Sequence, residues 1–180
     1  MILTNYFINR ELKKLASQAA SRRHQYRSLS DITKILFICD AKDWNEARSC
    51  IERLKAMNKT VNTAVYAPTA KDVPTWVSNY LLLRADRDIN IWGFPDKSLQ
   101  QQFNGLNADV IIDFTGEKSA AMYYLVLKHP STFKAGIKSE ASAYDFSLIP
   151  TTANSNLTYN FDQLLSYLQS ITSINPRTTK

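Results

Sequence analysis

Two observations predict an α/β fold with a three-layer, mostly parallel, Rossmann-like sheet of about five to six strands and an N-terminal amphipathic helix. Short apolar runs such as Lys34–Asp40 and Ala108–Thr115 have the composition of strands buried on both faces. Stretches with apolar residues three or four apart lie between such runs, so strand and helix alternate along the chain. At 180 residues and 44% hydrophobic content, the chain is long enough for one domain. Such a domain buries about 70% of the surface of its unfolded chain.

From about Asn5 to Gln25, Ile8, Leu12, Leu15, Ala16 and Ala19 form one helical stripe, with Arg10, Lys13, Lys14 and Arg22 pointing elsewhere. Small polar residues in Arg27–Asp31 break that pattern and predict a short linker. Lys34–Asp40 is the first strand. Ala47, Ile51, Leu54 and Met57 then share a helical face over Trp44–Met57, with Arg48, Glu52, Arg53 and Lys55 outside it. Val61–Ala67 is the next strand, stopped by Pro68.

Trp76–Leu83 reads as either helix or strand, and Asp88–Trp92 as a short third strand before the turn at Gly93 and Pro95. A short helix over Lys97–Phe103 leads to the buried strand Ala108–Thr115, and Gly116 allows a tight turn. Ser119–His129 is helical by composition and ends at Pro130. Two further strands, Phe133–Ile137 and Tyr144–Ile149, precede a terminal helix over Phe161–Ile174, with Asn160 or Asp162 as its cap. The domain expectation is a basic helix and linker over 1–30, one α/β domain over 31–175, and a frayed tail over 176–180.

Charge is distributed unevenly. Arg10, Lys13, Lys14, Arg22, Arg23 and Arg27 face one acid, Glu11, between positions 10 and 27, which supplies five of the chain's six net positive charges. Such a surplus, not interleaved with acids, points to an anionic partner: a membrane surface, a nucleic acid or an acidic protein. Tyr6, Phe7 and Ile8 just upstream have the chemistry for shallow insertion into a bilayer. No apolar run approaches the roughly 18 residues that span a membrane, and the N-terminal order of apolar before basic residues is wrong for a secretory signal. Cys39 and Cys50 read as small buried hydrophobes, so a reduced, cytoplasmic protein is expected. With His24 and His129 far apart, no metal site is expected, and no cofactor motif stands in the chain.

Gly93, Gly105, Gly116 and Gly136 are isolated from one another, so the dinucleotide fingerprint and the P-loop are both absent. His129, at a helix end, reads as a favourable charge partner for that terminus. Trp44, Trp76 and Trp92 fall near element ends, where half-exposed anchors are ordinary. Ligands of such sheets bind beyond the carboxyl ends of the strands, where strand order reverses. Asp40 and Asp113 lie at two of those ends, and Thr115, Gly116 and Lys118 follow the second. A base or metal ligand at Asp113, an anion clamp at Lys118 and oxyanion-binding amides after Gly116 are the chemical reading. Loop tethering and helix capping are the structural one. A receiver-type phosphorylation site fails, because Asp40 and Asp43 are not adjacent and Lys134 starts its strand instead of ending it.

The stretches Ala108–Gly116, Phe133–Ile137 and Tyr144–Ile149 resemble a family of small uncharacterised Bacteroidota α/β proteins. Its members share a basic N-terminal helix, an Asp-ended strand, a strand with Lys and Gly, and a late Tyr-Asp strand. The likeness covers most of the chain from Leu12 onward and implies a fold without an activity. The same stretches are distantly similar to the N-terminal half of heptosyltransferase-like glycosyltransferases, whose donor site lies in a second half. Two readings follow. The first is a non-enzymatic α/β protein that contacts its partner, or a second copy of itself, through the basic helix. The second is a binding protein for a phosphate- or sugar-containing ligand, or a degenerate transferase-like domain, with its site at the C-terminal edge of the sheet.

Overall fold

A computed structural model describes residues 2–20, 26–73, 79–115, 119–137, 143–149 and 156–171. The chain runs α1 (Ile2–Ala20), β1 (Lys34–Asp40), α2 (Trp44–Ala56), β2 (Thr60–Ala67), β3 (Leu81–Arg84) and α3 (Lys97–Asn104). It continues β4 (Val110–Asp113), α4 (Ala120–Lys128), β5 (Phe133–Ile137), β6 (Phe146–Leu148) and α5 (Leu157–Ser170). All six strands are parallel, in the order β3-β2-β1-β4-β5-β6. This is the doubly wound order, which reverses between β1 and β4.

The alternation of β1 divides the core into two layers. Ile35, Phe37 and Cys39 face α2 and α5, where Cys50, Leu54, Phe161, Leu164 and Leu168 complete one cluster. Leu36 and Ile38 face the other way, against α1, α3 and α4 through Ile8, Leu12, Phe103, Met122 and Leu125. Helices therefore cover both faces, which is why β1 and β4 carry unbroken apolar runs.

The N-terminal helix is docked on the body, with α4 as its main neighbour. Ile8 is 1% exposed and Leu12 8%, so the apolar stripe of the sequence is the buried stripe of the helix. From Arg27 onward the connection that follows is tied to the body. Arg27 pairs with Asp109 at 3.3 Å, Leu29 is buried, and its N–H donates to the Leu168 carbonyl at 3.0 Å. Asp109 also accepts from Thr33 N, Thr33 Oγ1 and Lys34 N. Burial alone would raise its pKa, but these hydrogen bonds and Arg27 outweigh that and lower it.

Three expectations need correction. Asp88–Trp92 is no strand: the third strand is Leu81–Arg84, which pairs with β2. Asn90 ends the extended run, because its Oδ1 accepts from Trp92 N at 2.9 Å and Phe94 N at 3.1 Å, and Gly93 turns the chain at φ 86. Only an isolated antiparallel bridge, Ile89 to Pro95, closes this loop. The terminal helix begins earlier than its apolar pattern suggests, and its cap is Asn156, whose side chain accepts from Tyr159 N at 2.9 Å. Asn160 is buried inside the helix and Asp162 pairs with Arg53 at 2.7 Å. The proposed tail, 176–180, lies outside the described residues.

His129 is the third correction. Its ring is 3% exposed, with Nδ1 accepting from Ser131 N at 3.0 Å, which leaves the proton on Nε2 to donate to the Leu106 carbonyl at 2.9 Å. Burial lowers its pKa, the neighbouring Lys134 charge adds to that, and the Leu106 bond opposes both. The ring is a neutral staple between α4 and the residues after α3. The helix-end cation is Lys134, 2% exposed, whose Nζ donates to the carbonyls of His129 at 3.0 Å and Ser131 at 2.9 Å.

Candidate functional site

Two regions carry the candidate residues: the switch point between β1 and β4, and the outer face of α1. At the switch point, the register aligns Ile38 with Asp113 and Asp40 with Tyr66, so both acids lie on the sheet face covered by α1, α3 and α4. Asp113 is fully buried. Its Oδ1 accepts from Thr115 N at 2.9 Å and from Thr115 Oγ1 at 2.6 Å, and its Oδ2 accepts from the Tyr144 hydroxyl. The carboxylate thus tethers its own loop and a side chain that enters from just before β6.

Tyr144 is stacked on Tyr123 with ring centroids 6.0 Å apart, and burial, then the Asp113 charge, hold its hydroxyl well above the ordinary tyrosine pKa. Gly136 makes room for it. A Cβ there would overlap the Asp113 main-chain oxygen and press on the Tyr144 ring at 3.0 Å. Tyr144 and Gly136 were legible only as a strand start and an isolated glycine, because a contact across 31 residues leaves no local spacing to read.

Around this pair the polar groups are buried. Ser119 caps α4 by accepting from Met122 N at 3.1 Å, and burial raises the pKa of the Tyr66 hydroxyl. Asp40 is 9% exposed and begins a short 3-10 turn, Ala41–Asp43, leading into α2. In the doubly wound folds that bind dinucleotides, glycines at this turn admit a pyrophosphate. Here Asp40 and Asp43 place two carboxylates at the turn, which repel such a group. Gly116 and Lys118 lie outside the described residues. Burial pushes the Cys39 thiol far above its ordinary range and that of Cys50 up to about 11, so both stay protonated and inert. Among the described residues, no three His, Cys, Asp or Glu side chains converge as a metal cluster.

The cavities of the described residues open elsewhere. One of about 460 Å³ lies at the amino-terminal edge of the sheet, between Arg27, Asp109, His129 and Thr132. Another, about 320 Å³, runs beneath the end of α1 between Leu15, Ala19 and Lys134.

On α1, Arg10, Lys13 and Lys14 are exposed on the side opposite Ile8 and Leu12. Lys14 keeps a loose pair with Glu11 at 3.8 Å. Arg27, the last of the six basic residues, is held at the body by Asp109, and Arg22 and Arg23 lie outside the described residues. The face also carries Tyr6, 58% exposed, and Phe7, 41% exposed. Phe7 meets the edge of Trp92 with centroids 4.9 Å apart. No described helix is long and apolar enough to cross a membrane.

The chain belongs to a family of unknown function, DUF6913, whose sequence model matches residues 4–171. No curated protein and no solved structure matches it. This agrees with the expectation of an uncharacterised family; nothing in these comparisons supports a Bacteroidota source or a kinship with heptosyltransferases.

Proposed function

We propose that this chain, a member of a family without assigned activity, is a recruited α/β module whose basic N-terminal helix presents a docking face to an anionic partner. The supporting observation is the division of labour on α1. Ile8 and Leu12 seat the helix on the body, while Arg10, Lys13 and Lys14 remain exposed on its outer side. A helix held rigidly presents its cations without an ordering cost at binding. Reversing Arg10, Lys13 and Lys14 to Glu in the full chain is expected to abolish salt-sensitive binding to anionic probes, whether vesicles, RNA or DNA, with an unchanged melting temperature. Equal binding by the reversed and parent chains would overturn the proposal.

A second reading rests on the switch-point geometry, which gathers Asp40, Asp113 and Thr115 at the edge where doubly wound sheets bind ligands. In it, the amides after Gly116 and the Lys118 ammonium hold a phosphate- or sugar-containing ligand beside Asp113. Inorganic phosphate or a nucleotide sugar is then expected to raise the melting temperature of the parent chain, and less so that of Thr115→Val. Absence of any shift in the parent chain sinks this reading.

A further inference from the structure

We infer that the partner of the α1 face is an anionic lipid bilayer, and that the loop carrying Ile91 and Trp92 inserts into its interfacial layer beside Tyr6 and Phe7. This rests on the docking reading above and adds to it a class of partner and a second contact element.

The loop is the informative part. Ile91 is 76% exposed and Trp92 47%, the largest apolar display among the described residues that includes a tryptophan. The display is rigid. Asn90 Oδ1 receives the N–H groups of Trp92 and Phe94, Asn90 N donates to the Phe94 carbonyl at 2.9 Å, and Gly93 N donates to the Asn90 carbonyl at 2.9 Å. Beneath the tip, Phe94 packs edge-on against Tyr124 of α4 at 5.2 Å, and Ile89 leans on the core. A loop that uses an Asx turn and a left-handed glycine to hold a largely exposed isoleucine and a half-exposed tryptophan beside Phe7 has built an apolar projection, because Ile91 gains little from that position in the isolated molecule.

The composition of the surrounding face selects the partner. Phe7 lies against Trp92, Tyr6 lies against Phe7 at 5.6 Å, and Arg10, Lys13 and Lys14 continue the same exposed side of α1. Aromatic rings flanked by cations suit the headgroup layer of a bilayer: Trp and Tyr settle at that depth, an aliphatic tip reaches just below it, and Lys and Arg meet lipid phosphates. Two of the nearby loop acids have their carboxylates engaged with main chain: Asp88 accepts from Arg84 N at 2.8 Å and Asp86 from Ala70 N at 3.3 Å. A single-stranded nucleic acid would use the same cations and could stack on the rings, but such stacking makes no use of the aliphatic side chain at the tip of the display, whereas the acyl region of a bilayer does.

The test uses the full chain with vesicles of equal parts phosphatidylcholine and phosphatidylserine, vesicles of phosphatidylcholine alone, and a single-stranded RNA. Sedimentation and tryptophan emission are the readouts. Binding to the mixed vesicles with a blue shift of emission is expected, and little binding to phosphatidylcholine alone. Reversal of Arg10, Lys13 and Lys14 to Glu should weaken partitioning roughly a hundredfold or more. Ile91→Ser with Trp92→Ser should weaken it about tenfold or more and remove the blue shift, with the melting temperature held. Binding of RNA through the three cations but not of vesicles overturns the lipid inference and leaves the docking reading standing. Vesicle binding that ignores the Ile91 and Trp92 changes overturns insertion by the loop. Binding to none of the probes removes the docking reading together with the inference.

Discussion

Single side chains explain most of the departures from expectation. His129 looked like a cation for a helix end, but burial among Phe103, Leu106 and Ser131 makes the charged ring costly, and Lys134 serves the carbonyls instead. The linkage has a definite sign. With its folded pKa below the ordinary 6.5, the unfolded chain binds a proton that the folded chain refuses, so stability is full above about 6.5 and declines as pH falls through that value toward the folded one. Urea titrations are expected to show lower stability at pH 5.5 than at 7.5, and the His129 ring resonances to titrate below 6.5. A ring that titrates above that value would refute the neutral-staple role. Asp109, lowered as a carboxylate, adds loss of stability only under far more acidic conditions.

At the scale of elements, helices α2 and α5 are joined by more than apolar contact. Glu46 of α2 accepts from Thr158 N and Thr158 Oγ1, each at 3.1 Å, in the first turn of α5, beside the Asn156 cap. A carboxylate at that position satisfies a free amide and meets the positive end of the helix. Glu46→Ala is expected to cost about 1 to 2 kcal/mol in chemical denaturation, and Glu46→Gln, which keeps an acceptor, about half as much. Equal effects of the two substitutions would show that the charge, and not the capping bond, matters. The helix start was missed in the sequence because the apolar pattern was read only from Phe161, although Asn156 is a local capping signal; the Glu46 contact, 112 residues away, left no local pattern to read.

For the molecule as a whole, the first helix counts twice: inward as core, outward as charge. A chain beginning at Ser30 lacks Ile8, Leu12 and Leu29, and each such buried side chain contributes about 2 to 5 kcal/mol. A domain of this kind has only about 5 to 15 kcal/mol in all. The shortened chain is therefore expected to lose cooperative thermal unfolding, and a sharp transition near that of the full chain would show that α1 is dispensable. Tests of docking consequently belong to full-length charge variants.

What the sequence determined by itself was whatever has a short period: the buried strands Lys34–Asp40 and Val110–Asp113, the amphipathic stripe of α1, the face of α2, and the cations on the outside of the first helix. Each of these follows from hydrophobic spacing within one element, which burial on one or two faces imposes directly. Tertiary structure decided the rest: that β1 and β4 lie side by side and bring Asp40 and Asp113 to one sheet face, that Gly136 admits Tyr144 to Asp113, and that Trp92 stands beside Phe7. Those pairings join residues far apart in the chain. Strand order and helix docking set them through the packing of whole faces, and no local pattern records which faces meet.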